Sequence, residues 1–191
     1  MTRYSILKTS LLGDLLLVAE AAHLTGVYFL GGRHAPAVPR DWRQDPDHSV
    51  LRRTAAQLQA YLRGGRRSFS VSLACAGTDF QKEIWRQIAL IPFGQTITYT
   101  ELARRAGAPR AVRAAGTATG KNPFSIIVPC HRVVGKNGSL GGYAGGLKRK
   151  RRLLEIEHSH FPGTGAGNPK SKSPKFENKE LVESCLPFCS S

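Results

Sequence analysis

The run Pro129-Cys130-His131-Arg132 places a thiol directly before an imidazole, at the end of the apolar stretch Ser125-Ile126-Ile127-Val128. The thiolate is the nucleophilic form of cysteine. A free thiol with a pKa of about 8.5 is only a few per cent ionised at neutral pH, so a cysteine that does chemistry needs a base beside it. His131 is a base of the right type, and a buried, β-like segment leading up to Cys130 would supply low-dielectric walls around the reacting sulfur. Two readings fit the pair taken alone: a nucleophile with its base, or a buried structural cysteine beside an unrelated histidine.

The elements that must position this pair are legible along the chain. Thr78-Asp79 offers an N-cap for a helix carrying Phe80, Ile84, Trp85, Ile88 and Ala89, closed by Pro92 and Gly94. Thr98 or Thr100 caps a second helix, Glu101 to Ala106, that Gly107 terminates, and Pro109 opens a third, Arg110 to Thr119. Two short helices across a tight glycine-containing turn read as a helix-turn-helix. The third helix is built mostly from small residues, whereas a reader of the major groove offers Arg, Asn or Gln to base edges. Its alanines suit close approach to a narrower groove, and they equally suit the packing of a short helix into a core. A final helix spans Leu147 to Glu157.

Upstream, Leu11 to Ala19 and Leu24 to Leu30 read as an antiparallel strand pair split by Glu20-Ala21-Ala22-His23. Gly31 to Asp47 is a loop by composition. His48 to Leu62 places Val50, Leu51, Leu58, Tyr61 and Leu62 on one side of a helix ending near Gly64-Gly65, and Phe69 to Leu73 alternates like another strand. His23, His34 and His48 read as solvated side chains, with no chemistry in this half.

Composition bounds the possibilities. The 191 residues suffice for one or two small domains with real cores. The net charge of +15 is uneven: residues 1–77 carry ten Lys and Arg against five acids, residues 101–157 twelve against three. A positive field around the motif attracts phosphates in a salt-dependent way, although a solvated basic surface has the same composition. The four cysteines, Cys75, Cys130, Cys185 and Cys189, form no CxxC and meet no paired His-x-x-x-His, so neither a disulfide framework nor a zinc site is indicated. Neither a signal peptide nor a membrane span is visible, and the chain reads as cytoplasmic. From Gly163 onward it is rich in Gly, Ser, Pro and Lys and then mildly acidic, which reads as a disordered tail.

The blocks IPFGQTITYTELARRAG, PRAVRAAGTATGKNPFSIIVPCHRVVG and GYAGGLKRKRRLLEIE, in this order between Ile91 and Glu157, resemble the O6-alkylguanine-DNA alkyltransferase (methylated-DNA–protein-cysteine methyltransferase) family. The resemblance is dense from about Thr78 to His158 and looser before it. It implies an α/β plus α fold. Residues 1–77 would form a small N-terminal α/β domain, an antiparallel sheet with a covering helix, ribonuclease H-like. Residues 78–160 would form a C-terminal helical domain with the helix-turn-helix, winged-helix-like, and 161–191 the disordered tail.

The resemblance also implies roles. Cys130 accepts the alkyl group, His131 is its base, Glu157 holds His131 in a water-linked relay, and Asn122 braces the turn before the active segment. Tyr99 contacts the DNA backbone and the flipped guanine and helps protonate the leaving base. Arg113 fills the stack after the damaged base rotates out and bonds the orphaned cytosine. Tyr99, Thr100, Ala111, Arg113, Ala114, Gly116 and Lys136 are the implied DNA contacts, made in the minor groove. Without the resemblance, Tyr99 reads as a packing residue at a helix start and Glu157 as an exposed helix-end acid.

The implied reaction moves an alkyl group from O6 of guanine, and from O4 of thymine, in double-stranded DNA onto Cys130, irreversibly and once per molecule. It is carried out by a monomer with no cofactor and no membrane partner. The structural zinc of some relatives is not expected, because residues 1–74 contain no cysteine. Ala144 departs from the pattern where many relatives have Ser, which leaves the backbone amides of Gly142 to Gly146 as donors to the leaving oxygen. Two other function classes remain open at this point. A damage-sensing DNA binder would keep the helices and Arg113 but replace the nucleophile. A cysteine hydrolase would turn over many times and need neither Arg113 nor a basic face.

Overall fold

Five consecutive buried residues, Leu15 to Ala19, form the centre of strand β2 (Leu15–Glu20) in a computed structural model that describes residues 1–159. The run is apolar throughout because both faces of this strand are covered. Strands β1 (Thr2–Leu7) and β3 (His23–Phe29) pair with it antiparallel on either side, and the short β4 (Arg43–Gln44) joins the free edge of β1 in parallel, giving the order β3-β2-β1-β4. Helix α1 (Ser49–Leu62) lies across β1, β2 and β3 and buries Leu51, Leu58, Tyr61 and Leu62. The N-terminal half is thus the expected sheet with a covering helix.

Four details differ from the sequence reading. Strand β1 carries no clean apolar alternation and was not expected. Strand β2 starts at Leu15, since Gly13 turns the chain there with φ of +76°. Within the loop after β3, Arg43 and Gln44 find the edge of β1, so the sheet is not wholly antiparallel. Phe69, Val71 and Leu73 are buried in alternation as expected, yet the segment makes only one bridge, Leu73 to Leu24. The Gln57 side chain replaces a neighbouring strand: its Oε1 accepts from the Ser70 amide at 2.8 Å and its Nε2 donates to the Ser70 carbonyl at 3.3 Å.

The C-terminal half is helical. Helix α2 (Asp79–Ala89) opens with a reciprocal capping box between Thr78 and Gln81, and α3 (Tyr99–Arg105) is capped by Thr98. After Gly107, at φ of +71°, a turn closed by Ala111 N to Ala108 O delays helix α4 to Val112–Gly120, two residues later than Arg110. Trp85 Nε1 donates to Ala118 O at 2.9 Å and ties α2 to α4. The small residues divide by face: Ala115 and Ala118 are packed into the core, while Arg113, Ala114 and Thr117 are exposed. Strands β5 (Ile97–Thr98) and β6 (Val133–Val134) form a small parallel pair, and α5 spans Leu147–Ser159. The tail from Gly163, with Cys185 and Cys189, lies outside the described residues.

The stretch before Cys130 is not a strand. Val27 at the edge of β3 takes a bond from Ser125 N at 3.0 Å and gives one to Pro123 O at 2.8 Å, after which the chain turns, with Val128 N bonding Phe124 O. Ile126 sits at φ of +72°, a conformation that costs a β-branched residue about 1–3 kcal/mol, and full burial of its side chain holds it there. An apolar run is buried alike in a strand or in a packed turn, so periodicity could not separate the two.

Candidate active site

Cys130 opens a 3-10 turn, Cys130–Arg132, whose three side chains are all buried, His131 completely. Asn122, just past α4, organises the approach. Its Nδ2 donates to Val128 O at 2.9 Å and to Cys130 Sγ at 3.2 Å, while its Oδ1 accepts from Phe124 N at 3.0 Å. One side chain therefore ties the start of the turn, its end and the sulfur.

Glu157 reaches the same turn from α5. Its Oε1 accepts from His131 Nε2 at 2.9 Å, from Tyr61 OH at 2.6 Å and from Arg132 NH2 at 2.8 Å, and its Oε2 accepts from the Gly94 amide at 2.9 Å. A carboxylate only accepts, so the shared proton lies on Nε2 and His131 Nδ1 carries the lone pair. Among the described residues Nδ1 has no hydrogen-bond partner. The Glu157–His131 contact is direct; any water in the implied relay would lie on the Nδ1 side.

The electrostatics follow from burial. Burial alone would raise the Glu157 carboxyl, but the hydrogen bond from His131 and the bonds and charge of Arg132 outweigh it and hold the group well below the usual carboxylate range. Burial pushes the Cys130 thiol up, opposed by the Asn122 bond and the Lys150 ammonium. Burial pulls the His131 imidazole below its ordinary value, opposed by Glu157 and reinforced by Arg132 and Lys150. With the thiol raised and the imidazole lowered, the resting pair is neutral, not thiolate and imidazolium.

The sulfur faces an open groove of about 670 Å³, which Cys130 lines together with Tyr99, Arg113, Gly116 and Tyr143. The Tyr99 hydroxyl donates to Gly142 O at 3.4 Å, and its ring covers Gly141, where φ is +62° and a Cβ would come within 3.0 Å of the ring. Burial, and then the nearby sulfur, raise the Tyr99 phenol, so it stays protonated and able to donate. The Arg113 guanidinium is exposed and has no hydrogen-bond or ion-pair partner among the described residues.

The implied residues divide into those that meet and those that do not. Cys130, His131, Glu157 and Asn122 form one buried cluster, and Tyr99, Arg113 and Gly116 share the groove above it. Thr100, Ala114 and Lys136 are exposed, and Ala111 is half-buried, but none of the four lines the groove. Lys136 sits in the turn after β6.

Several residues of the site were not legible in the sequence. Tyr61 read only as part of an apolar helix face. Arg132, 3% exposed, grips Glu157 and gives NH1 to Ile91 O at 2.5 Å. The Lys150 ammonium, pulled down to about 8 by burial, bonds the carbonyls of Val133 and Leu140. Arg33 and His34, from the N-terminal half, line the groove, with the Arg33 amide bonded to Ala144 O at 3.1 Å. His34 is exposed, as expected of a solvated side chain, and stands at the rim of the groove. Arg132 alone carried a sequence signal, a charge set against the apolar Val133-Val134, whereas Lys150 is hidden in the basic run Lys148 to Arg152.

Comparison with known proteins places this geometry. The family described as "6-O-methylguanine DNA methyltransferase, ribonuclease-like domain" matches residues 2–75, and "6-O-methylguanine DNA methyltransferase, DNA binding domain" matches residues 79–159. A methylated-DNA–protein-cysteine methyltransferase of Methanosarcina barkeri is 43% identical over 158 residues, covering 83% of this chain and 98% of its own length. One from Mycobacterium bovis is 44% identical over 151 residues, covering 79% and 90%. The crystal structure of Mycobacterium tuberculosis OGT in complex with DNA superposes with a TM-score of 0.74 at 42% identity, covering 83% of this chain and 93% of that one. The crystal structure of the Mycobacterium tuberculosis O6-methylguanine methyltransferase gives a TM-score of 0.76 at 41% identity, covering 86% and 97%. With both halves matched and identity above 40% along most of its length, the chain belongs to the 6-O-methylguanine DNA methyltransferase family.

Proposed function

We propose that this protein repairs double-stranded DNA by moving the alkyl group of O6-alkylguanine, and of O4-alkylthymine, onto its own Cys130, once per molecule. The observation that carries the reading is Cys130 lying at a groove shared with Tyr99 and Arg113, next to a histidine that Glu157 orients. Cys130 Sγ attacks the alkyl carbon in line, an S–C bond forms as the O6–C bond breaks, and the thiol proton passes to the free Nδ1 of His131. The departing guanine takes a proton with the help of Tyr99. Since the sulfur starts as a neutral thiol, proton removal accompanies attack. The resulting thioether has no easy route back to thiol, which limits the protein to one event.

Helices α3 and α4 act in this reading as a helix-turn-helix that approaches the minor groove. Arg113 enters the stack as the damaged base flips toward Cys130, and Thr100, Ala111, Ala114, Gly116 and Lys136 face the duplex. A base inside a duplex cannot present its alkylated oxygen to Cys130, a residue only 5% exposed, which is the physical need for flipping. The reading divides the chain into an N-terminal unit to residue 77 and a DNA-binding unit from 78 to 160, supported by family matches that fall on either side of that point. It takes the protein to act as a cytoplasmic monomer, in a compartment that keeps thiols reduced.

The test is the mass of the intact protein after mixing with methylated duplex. The expected result is a gain of one methyl group per molecule, mapping to Cys130, with no further turnover. Repeated turnover without a mass gain would instead identify a hydrolase, and tight binding without one a damage sensor.

The pH dependence follows from the neutral resting pair. His131 must be unprotonated to accept the thiol proton, and its pKa is lowered from 6.5. Transfer to the free base O6-benzylguanine is therefore expected to stay level as pH falls from 8 to about 6.5, the ordinary histidine value, and to decline only below it. Single-turnover rates across that range check this; a decline already beginning above 7 would mean a raised histidine.

A further inference from the structure

Tyr61 belongs to α1 of the N-terminal half, yet its hydroxyl ends on the carboxylate that orients His131. It donates to Glu157 Oε1 at 2.6 Å and lies 3.3 Å from His131 Nε2. The side chain is fully buried, with its ring packed against Phe69 at 5.4 Å and edge-on to Phe93 at 6.0 Å. The packing fixes where the hydroxyl points.

We infer that Tyr61 is a positioning residue for alkyl transfer, through which the N-terminal half holds Glu157 and so sets the orientation and basicity of His131. The inference rests on alkyl transfer to Cys130 being the reaction. Glu157 Oε1 is shared by His131, Arg132 and Tyr61. A short bond from a neutral hydroxyl to a buried carboxylate draws charge away from that oxygen and anchors it in place. Without it the oxygen leans further toward His131, which becomes easier to protonate and less firmly aimed. The charged and titratable groups that face the imidazole are Glu157 and Lys150 from α5, Arg132 and Cys130 from the 3-10 turn, Tyr61 from α1 and Tyr143 from the groove loop. Of these, Tyr61 is the one that reaches the relay from the N-terminal half.

The experiment compares the full chain with its Tyr61→Phe variant, which keeps the ring contacts and deletes one oxygen. Thermal unfolding, duplex affinity and single-turnover transfer are measured, the last across pH and on both methylated duplex and free O6-benzylguanine. The expected result is a folded protein with unchanged duplex affinity and transfer about tenfold slower on both substrates, the scale of losing one hydrogen bond to a charged group. Its acid limb should move to higher pH. Unchanged rates, slowing without displacement of the acid limb, or failure of Tyr61→Phe to fold would each overturn the inference, the last by assigning the hydroxyl to the fold. If the unmodified protein itself transfers no alkyl group, the functional reading has failed rather than the role of Tyr61.

Discussion

Replacing Cys130 with serine is expected to abolish alkyl transfer while leaving the affinity for methylated duplex intact. A hydroxyl is close in size to a thiol and keeps the bond from Asn122, so the turn and the groove above it should persist. The chemistry does not persist. An alcohol is far less acidic than a thiol and a far weaker nucleophile at neutral pH, even beside the same imidazole. The loss should reach roughly ten-thousandfold or more, the scale on which removal of a nucleophile registers. Intact-protein mass spectrometry of Cys130→Ser after incubation with methylated duplex, paired with a binding titration, decides the matter. A mutant that still gains one methyl group, or a wild-type label that maps to Cys75, Cys185 or Cys189, would move the reaction elsewhere.

Arg113→Ala should separate recognition from chemistry. The guanidinium stands exposed on α4 at the groove, one turn from Gly116 and away from the buried Asn122, His131 and Glu157. If it fills the gap left by a flipped base, its loss withdraws a partner from the extrahelical state and leaves more of the unstacking cost, a few kcal/mol, uncompensated. Transfer from saturating duplex should then slow by about a hundredfold. Transfer from free O6-benzylguanine involves no flipping and should be nearly unchanged. A residue that made only one phosphate contact would behave differently: duplex binding would weaken and the salt slope would fall by about one, with the saturating rate intact. Equal slowing on duplex and free base would show that Arg113 supports the active-site fold, and the flipping role would have to be withdrawn.

Both predictions lean on residues visible in the sequence, because what marks them is local. The N-cap at Thr78, the stop at Gly107 and the Cys130-His131 pair depend on neighbours within a few residues, and such patterns survive the loss of all three-dimensional context. The segments misread are those whose state is settled from outside. The turn at Ser125 to Val128 is held by Val27 and Asn122, Phe69 to Leu73 is held by Gln57, and the two residues of β4 pair only because β1 offers them an edge. An apolar run satisfies burial equally well in a strand or a packed turn, and the polar, exposed pair Arg43-Gln44 has no apolar pattern at all, so periodicity carries no vote in any of them.

By itself the sequence determined which residue types were capable of reaction and where the longer helices run, since residue type and short-range periodicity are written directly in the chain, while the 3-10 turn that presents Cys130 and His131 came from the fold. Their protonation states were decided only by tertiary structure. Burial pushes Cys130 up and His131 down, while Glu157 keeps its charge in the interior through His131, Arg132, Gly94 and Tyr61. The Tyr61 hydroxyl comes from 96 residues away. Desolvation and donated hydrogen bonds are properties of the folded surroundings, and no spacing along the chain encodes them.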